Sequence, residues 1–141
     1  MRTLTGWVLL STAVTMGGCV DDPAPSPCAD EARGEVLSVD TRFEGDTTAT
    51  VSNMDPSPPQ VGLNQWTIQT PGDMAGCTLV AEPFMPDHGH GASVGGATEM
   101  GQGEWQIEDL RFSMGGYWEV SLTWDCDGSE KQVVMPLCVE A

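Results

Sequence analysis

The sequence predicts an all-β protein, an immunoglobulin-like antiparallel sandwich of about seven or eight short strands. Three observations carry this expectation. From Glu35 onward, apolar and polar residues alternate with the period of two that marks half-buried strands. Turn-forming clusters interrupt the alternation every 8 to 12 residues or so, the spacing of a sandwich or barrel. No stretch carries a convincing helical period. The Cys-Trp-Cys spacing of antibody domains is absent, so the prediction rests on strand count and turn spacing.

The elements follow in order. "EVLSVDTRF" is a weak first strand, ended by the turn "EGD". Residues 47–53, "TTATVSN", are rich in β-branched side chains and form a second strand. "MDPSPPQ" cannot join a central strand, because Pro56, Pro58 and Pro59 lack the N–H donor. Residues 62–70 alternate, with Asn64, Trp66 and Ile68 sharing one face. "PGDMAG" turns the chain into a strand at 77–84, which Pro86 ends. A poor strand at 92–98 precedes the turn "MGQG". Residues 104–112 point Trp105, Ile107 and Leu110 inward. "SMGG" leads to residues 116–124, where Trp118, Val120, Leu122 and Trp124 share a face. Asp127-Gly128 suits a tight hairpin before the last strand at 130–138.

The N-terminal region has a different character. Residues 1–18 hold one charge, Arg2, then a short apolar run, then small residues, the layout of a secretory signal. That run is shorter than the roughly 20 residues of a spanning helix. It ends in "TMGGC", which resembles a bacterial lipobox with Cys19 as the lipidated residue. Residues 19–34, rich in Pro, Asp and Ala, read as an extended tether. Residues 35–141 form the domain. This organisation places the protein in the bacterial cell envelope, attached to a membrane through lipid on Cys19.

The cysteines agree with that placement. Five is an odd count for an exported chain, and lipid on Cys19 leaves four. Their spacing is not that of a zinc knuckle. Cys28, Cys77, Cys126 and Cys138 can form two disulfides in an oxidising compartment, with three pairings open. Strand topology favours Cys77 with Cys126 at one pole of the sandwich and Cys28 with Cys138 at the other.

Residues 1–18 contain Arg2 and no carboxylate, so the remainder sets four basic residues against 21 acidic ones, a net charge of about −17. Nucleic acid and anionic lipid surfaces are therefore poor partners for the domain. No pair of carboxylates has a spacing that argues for acid–base work. No serine lies in a nucleophile elbow, and no glycine pattern has the context of a phosphate loop. The sequence reads as a protein without catalysis.

The chemistry sits in "FMPDHGHG", residues 84–91, with both histidines of the chain. Antiparallel topology brings this loop to the same pole as the turn that holds Met114. Thioether sulfur is soft and imidazole borderline, a combination suited to copper, above all Cu(I). With the cysteines bonded, methionine is the soft donor that remains. The blander alternatives stand beside this one. His-Gly-His also occurs in plain polar turns. Met114 could equally pack against Trp118 or Trp105, as methionine does beside aromatic rings. Met54 reads as a loop residue. Asp87 reads as a turn residue, or as one that orients a histidine.

The segments "PPQVGLNQWTI" (58–68), "EPFMPDHGHG" (82–91) and "FSMGGYWEV" (112–120) together resemble the YtkA-like domain family, whose relatives include FixH-like and exported copper-handling domains. The resemblance spans residues 45–140. It implies an immunoglobulin-like sandwich, an envelope location and copper binding through Met85, His88, His90 and Met114. The family often has Met-Pro-Gly where this chain has Met114-Gly115-Gly116, and Trp where it has Phe84. Two functions follow as expectations. The first is a lipid-anchored domain that binds copper for transfer or sequestration, with an envelope protein as copper donor or acceptor. The second is an immunoglobulin-like interaction module of an envelope complex, without metal.

Overall fold

The computed structural model describes residues 23–141. The signal segment and Cys19 lie outside the described residues.

Among the described residues nine strands form two antiparallel sheets, an all-β architecture. One sheet orders β1 (Arg42–Glu44), β2 (Thr48–Asp55), β3 (Gly62–Gln69), β7 (Glu104–Phe112) and β6 (Gly96–Gly101). The other orders β5 (His90–Gly91), β4 (Thr78–Met85), β8 (Gly116–Cys126) and β9 (Ser129–Val139). The two sheets share one apolar core. Trp105 of β7 meets Trp124 of β8 edge-on at 6.4 Å between ring centroids, and Phe112 meets Trp118 at 5.2 Å. Such offset aromatic pairs between layers fix the spacing of the sheets as well as filling it.

The alternation in the sequence decides which side chains enter that core. Asn64, Trp66 and Ile68 of β3 are buried, as are Trp105, Ile107 and Leu110 of β7. Trp118, Val120, Leu122 and Trp124 of β8 are buried too. Asn64 is a polar exception with its needs met. Its amide accepts from Gln60 N and donates to the Gln60 and Gly62 carbonyls, which fastens the proline-rich connection to β3.

Four departures from the sequence expectation have local causes. The weak first strand contributes only Arg42–Glu44 to a ladder, while Val36 bridges Cys138 in isolation. The strand expected at 92–98 lies instead at Gly96–Gly101, because hydrogen bonding to β7 (Gly96 opposite Glu108, Gly101 opposite Glu104) sets its limits. "PGDMAG" contains a single 3-10 turn, Gly72–Met74, which buries Met74. The ninth strand, β5, arises where the sequence suggested only loop.

Cys28 is bonded to Cys138 and Cys77 to Cys126, with Cα atoms 5.7 and 4.4 Å apart. These are the pairs that strand topology favours. The residues read as tether are not free of the domain at their C-terminal end. Ser26 donates to the Glu140 carboxylate, Cys28 is covalently held, and Arg33 reaches Asp87. The chain is therefore tied to the domain from about Ser26 onward. Among the described residues no helix is long and apolar enough to cross a membrane.

Candidate metal centre

The pole of the second sheet collects the residues singled out above. β4 ends at Met85 and the chain reverses through Pro86–Gly89 into β5. The His88 and Gly89 amides both donate to the Met85 carbonyl, at 3.2 and 2.9 Å. Gly89 takes φ +66°, the left-handed region that glycine enters without a side-chain penalty. The result is a tight hairpin in which Met85 stands directly opposite His90. Opposite residues in an antiparallel pair project to the same face, with Cβ atoms about 4.5–5.5 Å apart. His90 is thus a strand residue held beside Met85, where the sequence suggested a loose loop.

The remaining residues gather around this pair. The His88 ring lies 5.9 Å from the His90 ring, centroid to centroid, and is exposed. The His90 ring meets Trp118 edge-on at 5.8 Å. Trp118 Nε1–H donates to the Met114 carbonyl at 3.0 Å. Gly116, two residues on, passes directly over the Met85 side chain. A Cβ at Gly116 would lie 2.8 Å from Met85 Cε, and its φ of +124° is also one that L side chains avoid. Gly116 therefore lets the start of β8 pack on Met85, while Gly115 lies close to Pro27 and Ala141.

The four candidates differ in access. Met85 is only 3% exposed and belongs to the core by burial, whereas Met114 is 36% exposed. His90 is half-buried and His88 exposed. His90 Nδ1 lies 3.2 Å from the Gly91 carbonyl. A carbonyl only accepts, so in this contact Nδ1–H would be the donor. Among the described residues no three His, Cys, Asp or Glu side chains lie together as a metal-holding group. An ion at this pole would thus depend on methionine sulfur beside imidazole. Met54 takes no part: it is buried on β2 opposite Trp66.

Asp87 does not orient a histidine. Both its oxygens accept from Arg33, at 2.7 Å each. Arg33 also binds Glu31 and lies 4.2 Å over the Tyr117 ring. The fork-shaped guanidinium suits this bidentate pairing. Its hydrogen bonds hold Glu31 down to about 2 and Asp87 below the usual carboxylate range. Tyr117 is pushed up to about 12, first by burial and then by its hydrogen bond to Glu119. Both oxygens of Asp87 are therefore already engaged by Arg33, although one guanidinium shared with Glu31 leaves the cluster a net negative charge.

Sequence reasoning missed Arg33 and the second role of Trp118. Arg33 had a faint signal, as one of four cations outside residues 1–18 in a strongly acidic chain. Trp118 reads correctly as a core residue, but a side-chain bond back across a turn leaves no trace in periodicity.

Comparison with protein families, curated proteins and solved structures finds no match to this chain.

Proposed function

We propose that the chain is a YtkA-like, lipid-anchored domain of the bacterial cell envelope that binds Cu(I) through Met85, His88, His90 and Met114. The two-sheet architecture would then be an immunoglobulin-like sandwich, and the bound copper would be handed on to, or withheld from, an envelope partner. The observation that carries the reading is the cross-strand pair of Met85 and His90, with Gly116, two residues after Met114, packed on the Met85 side chain. Neutral soft donors beside imidazole favour Cu(I) over harder ions. A net charge of about −17 outside residues 1–18 raises the local concentration of any cation.

The burial of Met85 favours a second reading, in which the hairpin is purely structural and the domain serves as an interaction module. One titration separates them. Residues 20–141, which retain both disulfides, are titrated against a chromogenic Cu(I) chelator. The copper reading expects competition at about micromolar protein or below, and its loss in a His88→Ala/His90→Ala double variant. Absence of competition, or a double variant that competes as well as the parent, defeats it.

A further inference from the structure

Four tryptophans lie in the described core, each 2% exposed or less: Trp66, Trp105, Trp118 and Trp124. Three of them, Trp66, Trp105 and Trp124, leave the indole N–H without a hydrogen-bond partner. A buried unpaired donor is unfavourable, yet the interior of this fold offers those three none. Trp118 is the exception, and its partner is the Met114 carbonyl, at 3.0 Å. On its other side the same ring meets His90 edge-on, with Phe112 packed against it. Residues 113–115, a serine, a methionine and a glycine, form no backbone–backbone hydrogen bond outside the ladders among the described residues. The indole bond is thus the hydrogen bond that ties this turn to the core, beside the close approach of Gly115 to Pro27 and Ala141.

We infer that Trp118 is the positioning residue of the pole: one rigid ring fixes the Met114 turn relative to the His90 imidazole. The two candidate donors lie 24 positions apart in sequence; strand pairing sets β5, β4 and β8 side by side, but Met114 stands two residues ahead of β8, outside the ladder. The Trp118 indole, bonded to the Met114 carbonyl and packed against His90, joins that turn to the imidazole. For copper this inference rests on the reading proposed above. The geometric link between the turn and the imidazole does not.

The test compares W118F with W124F in residues 20–141. Both variants lose an indole and keep an aromatic ring, but only W118F releases the Met114 carbonyl. Far- and near-ultraviolet circular dichroism checks the fold of each. W118F is expected to weaken Cu(I) binding by about tenfold or more, the usual effect of removing a group that orients a ligand, while W124F leaves it near the parent value. Met114→Leu should weaken binding in the parent but add little in W118F, because the turn is already released. Equal affinities for W118F and W124F, or losses from M114L and W118F that multiply, overturn the inference.

If the parent binds no Cu(I), the copper reading fails separately and the copper-free spectrum decides. W118F, and not W124F, should then shift both the His90 ring protons and the Met114 methyl in nuclear magnetic resonance. If W118F does not fold, the parent alone answers. The Trp118 indole N–H should exchange with solvent more slowly than the other three and move when Met114→Leu is introduced. An indole signal that behaves like the others overturns the inference.

Discussion

Replacing Met85 by leucine separates packing from metal chemistry at a single atom. Met85 is 3% exposed, and its methyl lies where a side chain on Gly116 would have to be. Leucine has nearly the same volume, so the core is refilled and not emptied. Swaps of this kind cost less than about 1.5 kcal/mol. For a domain of this size that lowers Tm by no more than about 8 °C. Met85→Ala, which leaves a cavity, costs about 2–5 kcal/mol. Leucine, however, removes the sulfur that stands opposite His90. Loss of one soft donor should weaken Cu(I) binding by at least about tenfold, or about 1.4 kcal/mol. Thermal denaturation by circular dichroism gives the first quantity, and chelator competition the second. A leucine variant that binds Cu(I) as tightly as the parent would remove Met85 from the site. A variant that loses binding only in proportion to unfolding would reduce Met85 to a packing residue.

The other predictions follow from the clamps around the domain. The disulfides close 110 and 49 residues of chain, so the chain-entropy account predicts losses of about 5 kcal/mol for a Cys28→Ala/Cys138→Ala variant and about 4 kcal/mol for Cys77→Ala/Cys126→Ala. Urea unfolding checks both, and the larger loss should fall on the first. Glu31 is held at about 2, against an ordinary value of 4.5, by its hydrogen bond to Arg33. A depressed carboxylate contributes stability above its unfolded value and loses it as pH falls through the folded one. Tm should therefore drop between pH 4.5 and about 2, and the drop should be shallower in Arg33→Gln. Tyr117 is the one tyrosine of the chain, so absorbance at the phenolate band reports it alone. Its midpoint should lie near pH 12, since burial and Glu119 both oppose the anion. By the same linkage the contribution of Tyr117 is intact below its ordinary value of 10 and is lost as pH rises toward 12.

Period-two alternation placed six of the seven expected strands and the inward faces of β3, β7 and β8, because burial on one side of a pleated sheet leaves that mark directly in the sequence. The disulfide pairs could be read for a related reason: once strand directions are fixed, each cysteine lies at a known pole. What stayed hidden was contact between segments. β5 is two residues long, too short for a period, and exists only because Gly89 lets the chain turn back on Met85. The boundary at 96–101 reflects pairing with β7 and not the residues themselves. Arg33 lies in a segment with no alternation, so nothing local foretold that it would clamp Asp87. At the candidate site, the sequence named the residue types, and topology named the pole. The pairing of Met85 with His90 required the register of a hairpin that composition does not specify.

That register also explains why the hairpin is clamped from outside. Asp87 occupies the turn between Met85 and His90, and Arg33 binds both of its oxygens. Arg33 is itself held, five residues beyond Cys28, which is bonded to Cys138 on β9. β9 in turn pairs along its length with β8, the strand that supplies Trp118. The hairpin is therefore held twice, through Asp87 on its solvent side and through His90 against Trp118 on its inner side. An exposed ion pair alone contributes little to stability. Its effect here is geometric: it limits the swing of a glycine-containing turn whose inner strand carries His90. In the proposed copper reading, a turn held on both faces presents Met85 and His90 in one arrangement before any ion arrives, which lowers the ordering cost of binding. In the same reading Met114, 36% exposed at the rim of a turn that Trp118 holds, is the donor through which copper would enter or leave.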